Sequence, residues 1–328
     1  MKVVCNLENV VLGGLIGLCV GDALGVPVEF LSRKKLIEKP VTDILGYGTH
    51  NQPPGTWSDD SSLTFCLMES LCQGYSIEDI AQKFVRWYEE GYWTPYGEIF
   101  DIGNATLQAI SRVQRGCKPE EAGGKTVYDN GNGSLMRILP LAYYLLRVDD
   151  IKVRLKIVHD VSSITHGHIR SKMACFLYIE FVQNLLKDVK SYDAYINAIK
   201  VFESVYCCGP YLSELKHFQN LISGEIQNFK EDELLSTGYV IHTLESSIWC
   251  FLNSNDYKSA VLKAVNLGDD ADTTAAVTGG IAGIYYGLSA IPPKWIDTLA
   301  RKEDIFSLCK RFSKTVDAYP LRLSNMQF

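Results

Sequence analysis

Two short acidic segments stand far apart in this chain, Trp57-Ser58-Asp59-Asp60-Ser61 and Gly268-Asp269-Asp270-Ala271-Asp272-Thr273-Thr274. Each opens an apolar stretch with helical spacing. Neither holds a lysine or arginine, so their carboxylates repel one another unless a cation lies among them. Hard divalent ions such as magnesium or manganese take this set of oxygen donors. Capping explains each cluster taken singly, because Ser and Asp satisfy the free N–H groups of a helix start and suit its dipole. A second cluster of the same type is harder to explain that way. Asp270 and Asp272 are two apart, so an extended loop aims both to one side, and Thr273 adds a hydroxyl at the helix start.

Such a shared site requires a fold that brings the segments together. Helical apolar spacing runs over 10–22, 62–73, 77–90, 104–115, 134–146, 151–165, 170–187, 192–205, 239–253, 257–266 and 272–286. Strands with period-two alternation are absent from this reading, and no low-complexity linker or fixed-period repeat divides the chain. The expectation is an all-α fold, one compact domain over 1–328. Gly13, Gly17, Gly21 and Gly25 recur every fourth residue, as do Gly279, Gly283 and Gly287. Each glycine costs a helix about 1 kcal/mol relative to alanine. Either the two rows let helix backbones meet, or each glycine admits a bulky neighbour.

Composition narrows the class. Hydrophobic content is 47% and charged content 21%, ordinary for a globular protein. The net charge of −6 and the absence of a basic run predict no nucleic-acid or anionic-membrane surface. The ten cysteines show no CxxC spacing, and the one close pair, Cys207-Cys208, is adjacent. Reduced thiols in a cytoplasmic protein are expected. Residues 10–20 are apolar but follow Glu8 rather than a basic segment, so no cleavable signal is expected. Residues 273–293 are uncharged and approach membrane-spanning length. Their glycines, prolines and acidic start mark a buried core helix instead. A monomer is expected.

Ordered motifs along almost the whole chain resemble the ADP-ribosylglycohydrolase family, which includes dinitrogenase reductase-activating glycohydrolase. They are Gly21-Asp22-Ala23-Leu24-Gly25-Val26-Pro27-Val28-Glu29-Phe30, then Thr56-Trp57-Ser58-Asp59-Asp60-Ser61, then Phe100-Asp101-Ile102-Gly103-Asn104-Ala105-Thr106. Gly131-Asn132-Gly133-Ser134-Leu135-Met136-Arg137 and Thr165-His166 follow. Ser236-Thr237-Gly238-Tyr239-Val240 and Asn266 to Thr273 complete the set.

The resemblance implies an all-α fold with two magnesium or manganese ions in a central cleft. Its ligands carry over to Ser58, Asp59, Asp60, Asp270, Asp272 and Thr273. Ser58 stands where the family usually has threonine and keeps the hydroxyl. Asp269 stands where the family often has glycine and is not expected to touch metal. The implied reaction is hydrolysis of the glycosidic bond joining ADP-ribose to a side chain such as arginine or serine. Two ions held about 3.5–4 Å apart bind ribose hydroxyls and acidify water, which attacks the anomeric carbon as oxocarbenium character develops.

Glu29 is the candidate acid for the leaving group; a surface position before Phe30 is the plain alternative. Asp101 reads as an auxiliary base, as a group orienting water, or as a helix cap. Asn132, Gly133 and Ser134, ahead of an apolar segment, offer N–H groups to a diphosphate, or form an ordinary Asn-Gly turn. His166 matches a family histidine near the distal ribose or phosphate; a structural histidine at a helix end is the plain alternative. Arg137 is expected in an internal ion pair, and Tyr239 either stacks on adenine or joins the core. His159, His168 and His217 read as structural. A catalytically silent ADP-ribose-binding or structural member, and a two-metal hydrolase of another bond, are the competing classes.

Overall fold

The computed structural model describes residues 7–318. Among these residues the chain is helical, with no named strand and three isolated bridges, one of them pairing Gly131 with Tyr239. The longer helices are α1 (Leu7–Gly25), α2 (Asp59–Leu71), α3 (Ile77–Glu90), α4 (Asn104–Gln114), α5 (Ile151–Ser163), α6 (Ile169–Leu186), α7 (Ser191–Tyr206), α8 (Val240–Leu252), α9 (Tyr257–Asn266), α10 (Ala271–Tyr286) and α11 (Lys302–Ala318).

At the centre α1 and α10 lie antiparallel, backbone against backbone. A Cβ placed on Gly13, Gly17 or Gly21 would fall well inside 3 Å of the carbonyl oxygens of Gly283, Gly279 and Ala275 in turn. A Cβ on Gly25 would strike the backbone of Asp272. The two glycine rows therefore do face each other. Gly287 is the exception: it ends α10 at φ +85° in open space, a position that favours glycine for its left-handed backbone. The Tyr257 hydroxyl donates to Gly17 O at 2.7 Å and ties α9 to the pair.

Both central helices are apolar all round because they are enclosed all round. Helices α2 and α11 cover α1, while α8, α9 and α6 cover α10. The segment Leu7–Val28 is long and apolar enough to cross a membrane, yet residues 11–28 of it are all buried inside the protein. Of the uncharged stretch 273–293, the part up to Ile284 is buried in α10 as expected; the helix ends at Tyr286, and most of 285–293 lies outside the core.

Two sequence expectations need correction. Residues 134–146 do not form one helix. The chain turns through 133–137, and a single short helix spans Pro140–Tyr144. Pro140 lacks an N–H and cannot continue a helix begun upstream, so it starts one. The C-terminal helix α11 lies outside the helical spans of the sequence reading, although Ile305, Leu308, Cys309, Phe312 and Val316 form its buried stripe.

Antiparallel pairing brings the C-terminal end of α1 to the N-terminal end of α10. The start of α2 joins them through Asp22. Its carboxylate accepts from Ser58 N at 2.9 Å, from Ser61 N at 3.1 Å and from Ser61 Oγ at 2.6 Å. Three helix ends thus converge where the acidic residues stand.

Candidate metal centre and active site

The two acidic segments meet at this junction. Ser58 caps α2, its hydroxyl accepting from Asp60 N at 3.2 Å. Thr273 Oγ1 donates to Asp60 Oδ1 at 3.3 Å. Carboxylate oxygens of Asp22, Asp60 and Asp272 lie within 4.8 Å of one another, and so do those of Glu29, Asp270 and Asp272. Asp60 Oδ2, Asp270 Oδ1 and Asp272 Oδ2 are buried without a hydrogen-bond partner. Buried carboxylate oxygens normally find donors. Unpartnered oxygens converging among carboxylates fit a hard cation.

Electrostatics agree with this reading. Burial, then neighbouring carboxylates, hold Asp59, Asp60 and Asp272 well above the usual carboxylate range. Burial pushes Asp22 up to about 6 against the pull of its serine donors. Among the described residues, no lysine or arginine lines the cleft beside them.

That cleft is an open cavity of about 300 Å³. Asp59, Asp270 and Thr273 form its floor, and Glu29, Asp101 and His166 its walls. Glu29 is only 3% exposed, which rules out the surface reading. Burial, then Asp270, push it up to about 8, and burial, then Glu29, do the same for Asp101. Asp101 is not a helix cap: Gly103 occupies the cap position of α4. Its backbone is left-handed, at φ +58°. Strained backbone of this kind gathers around the cleft, at Phe30 (φ +62°), Asp101 and Asp269 (φ +54°).

Asp269 is exposed and lies outside the carboxylate groups that could hold a cation. Its backbone does the work: Asp269 N donates to Leu31 O at 2.8 Å, and Phe30 N donates to Asp269 O at 2.7 Å. This pair of bonds sets Glu29 beside Asp270. Arg33 completes the clamp, donating to the carbonyls of Leu267 (3.0 Å), Glu231 (2.6 Å) and Leu234 (2.8 Å).

The opposite wall is the turn at Gly131–Gly133. Asn132 Nδ2 donates to Asp270 Oδ2 and to Thr243 Oγ1, both at 2.8 Å, and Asn132 N donates to Gly238 O. Its side-chain amide fixes Asp270, and its N–H is already committed. Gly133 lines the cleft above His166; a Cβ there would meet His166 Cε1 at 2.8 Å. Burial, then Arg137, hold the His166 imidazole down at about 3, so it is neutral.

Ser134 does not line the cleft. It is fully buried behind it, where its hydroxyl accepts from Ser162 Oγ at 3.0 Å. Because the following segment turns rather than forming a helix, no helix N-terminus backs this wall. Arg137 makes no ion pair among the described residues. It donates to Gly133 O and Val161 O and lies over the Phe84 ring. Tyr239 is half-buried, and its hydroxyl accepts from Arg170 Nη1 at 3.0 Å. His159 packs against Tyr206, and His168 caps α6.

Three residues of the site were missed in the sequence. Asp22 is the lone acid of the apolar stretch 10–22, but nothing there shows that it accepts from the start of α2. His50, whose Nε2 meets Glu29 Oε2, carried no signal beyond its place before Pro53-Pro54. Tyr128 lines the cleft mouth and is 94% exposed, an isolated aromatic beside a glycine turn.

The comparisons with known proteins follow the same lines. The family model described as ADP-ribosylglycohydrolase matches residues 6–320. An ADP-ribosylarginine hydrolase, Tri1, of Serratia proteamaculans is 35% identical, covering 91% of this chain and 77% of its own. The ADP-ribosyl-[dinitrogen reductase] glycohydrolase of Rhodospirillum rubrum is 27% identical, over 90% of this chain and 92% of its own. A solved chain of an ADP-ribosylglycohydrolase-related protein complex superposes with a TM-score of 0.78 at 30% identity, covering 94% of this chain and 98% of that one. The match along the chain, the shared fold and the converging carboxylates together place this protein in the ADP-ribosylglycohydrolase family.

Proposed function

We propose that this enzyme hydrolyses the bond between ADP-ribose and an arginine side chain, using two divalent ions, Mg2+ or Mn2+. The observation that carries the metal reading is the set of unpartnered oxygens on Asp60, Asp270 and Asp272. Similarity to an ADP-ribosylarginine hydrolase supports the acceptor. So does a cleft lined by carboxylates and free of lysine or arginine, which suits a guanidinium leaving group.

Asp59, Asp60, Asp270 and Asp272, with Ser58 and Thr273, would hold the ions. Bound there, divalent ions supply Lewis acidity toward water and ribose hydroxyls. The protein's own groups handle the protons. Water adds to the anomeric carbon as the glycosidic C–N bond breaks. Burial and carboxylate repulsion raise both Glu29 and Asp101, so the pair readily keeps one proton, and Asp101, its ionised member, accepts the proton that water releases. Glu29, the protonated member of that pair, delivers one to the departing nitrogen. Carboxylate oxygens of Glu29 and Asp101 lie within 4.8 Å of each other, which gives the proton a short return path. Gly131, Gly133 and His166 form the wall for the diphosphate and distal ribose.

The test is release of free ADP-ribose from an ADP-ribosylarginine peptide with Mg2+ or Mn2+, run beside an ADP-ribosylserine peptide. The expected result is metal-dependent release, faster from arginine, and lost in EDTA. Metal binding without release from either peptide would favour a silent ADP-ribose-binding protein.

A further inference from the structure

His50 stands outside the cleft lining, yet the fold goes to some trouble to place it. The short turn Gly48–His50 lies between two left-handed residues, Tyr47 at φ +66° and Asn51 at φ +52°. Gly48 itself is at φ +59°, and a Cβ there would collide with Pro27 O. Conformations of this kind cost about 1–3 kcal/mol each and persist where surrounding structure enforces them. The enforcement is visible. Tyr47 N donates to Gln52 O, and Thr49 Oγ1 donates to Glu29 O at 2.7 Å. The imidazole is held between Phe30 and Phe100, with ring centroids 6.0 and 5.2 Å away.

The result is a direct hydrogen bond between His50 Nε2 and Glu29 Oε2, with Asp101 Oδ1 3.9 Å from the same nitrogen. Glu29 therefore stands between two sets of groups. Asp270 and Asp272 lie within 4.8 Å on the side of the metal ligands, and His50 and Asp101 on the other. All of these neighbours except His50 are carboxyl groups. Without the imidazole, nothing but other acids would fix the Glu29 side chain.

We infer that His50 is the positioning residue for Glu29: it aims the Glu29 carboxyl into the cleft and acts on catalysis only through that residue. The inference rests on the reading of Glu29 as the group that meets the leaving nitrogen. His50 does not line the cleft and reaches it through Glu29. Its loss leaves the metal ligands and the Gly131–Gly133 wall in place and releases one side chain.

The test compares wild type, His50→Ala, His50→Gln, Glu29→Gln and the His50→Ala/Glu29→Gln double variant on an ADP-ribosylarginine peptide. Mn2+ affinity is measured by calorimetry for each. His50→Ala is expected to lower kcat by about 10–100-fold, the scale of loss when a reacting group is misplaced. KM and Mn2+ affinity should stay within about threefold of wild type. His50→Gln, whose amide keeps an N–H donor, should recover part of kcat. In the Glu29→Gln background His50→Ala should cost less than twofold, because its effect passes through Glu29.

Full activity in His50→Ala would overturn the inference. So would an equal loss in both backgrounds, or a fall in Mn2+ affinity matching the fall in kcat. Should His50→Ala fail to fold, His50→Gln decides alone: a kcat below wild type with unchanged KM supports the inference, and a wild-type kcat overturns it. An active wild type with an unimpaired Glu29→Gln would refute the role of Glu29. A wild type that releases no ADP-ribose would refute the proposed function itself.

Discussion

Thr273 Oγ1 donates to Asp60 Oδ1 at 3.3 Å, across 213 positions of sequence. The bond joins the starts of α2 and α10 and shows that the two acidic segments form one site. It also leaves Asp60 Oδ2 free, buried and facing the other carboxylates. Such an arrangement stores repulsion in the metal-free protein, and that repulsion can be measured.

Asp272→Asn removes one charge from the centre of the cluster while keeping its shape. The metal-free variant should unfold at a higher temperature than metal-free wild type. Its affinity for Mn2+ should drop a hundredfold or more, about 2.7 kcal/mol. Thermal melts in EDTA and Mn2+ calorimetry read the two effects separately. A lowered melting temperature together with unchanged Mn2+ affinity would mean that Asp272 is an ordinary helix-start residue.

The cluster also predicts how metal and pH combine. Asp22, Glu29, Asp59, Asp60, Asp101 and Asp272 all have folded values raised above their unfolded ones. A carboxyl raised in this way contributes stability that is complete below its unfolded value and lost as pH rises through its folded value. Metal-free protein should therefore weaken between about pH 4, the ordinary carboxyl range, and about pH 8, where Glu29 and Asp101 lose their protons. His159 and His166, held down at about 3, act in the opposite sense below their ordinary range. They act equally with and without metal. The gap in melting temperature between Mg2+ and EDTA should widen from pH 5 to pH 8. A gap that stays constant would show that these carboxyls do not bind the ion.

Gly21→Ala tests the central seam. The new methyl would collide with the carbonyl of Ala275, a backbone atom that no rotamer change can move aside. Overpacking of this kind costs about 1–3 kcal/mol, and unfolding in urea should show it. Gly103→Ala is the control, since a Cβ there meets nothing within 4 Å and the residue has φ −65°. Equal stabilities for the two variants would mean that the seam tolerates separation.

Tyr128→Ala should leave the melting temperature unchanged, because the ring is almost wholly exposed. The variant should bind ADP-ribose more weakly, by about 1–3 kcal/mol if the ring stacks on the adenine. Calorimetry with free ADP-ribose measures this directly. Unaltered affinity would place the base elsewhere.

Much of the fold could be read because helices carry local signals. The span 77–90 was read to the residue: Ser76 caps its start, accepting from Asp79 N, and Gly91 ends it at φ +64°. Residues 257–266 were read equally well, with Asp256 as the cap. Where the reading failed, at 134–146, apolar content outweighed a proline that interrupts the pattern. The ligand segments were legible as surplus charge, and the motif resemblance joined them into one site. The roles of Asp22 and His50 are not legible in the sequence. The first caps a helix other than its own, and the second depends on a strained turn whose purpose appears only once Glu29 is in place. Ser134 shows the converse: it belongs to a site motif, but its side chain turns into the core.

The glycine rows along α1 and α10 end at Gly25, whose Cα faces the backbone of Asp272. Main chain rests on main chain there, with no side chain between to compress or change rotamer. The junction works as a mechanical end stop. It fixes how far apart the acids at the end of α1 and at the start of α10 can stand, with none of the slack of an interdigitated side-chain interface. Heating or repacking the outer helices should then loosen the cleft walls well before it alters the gauge of the carboxylate floor.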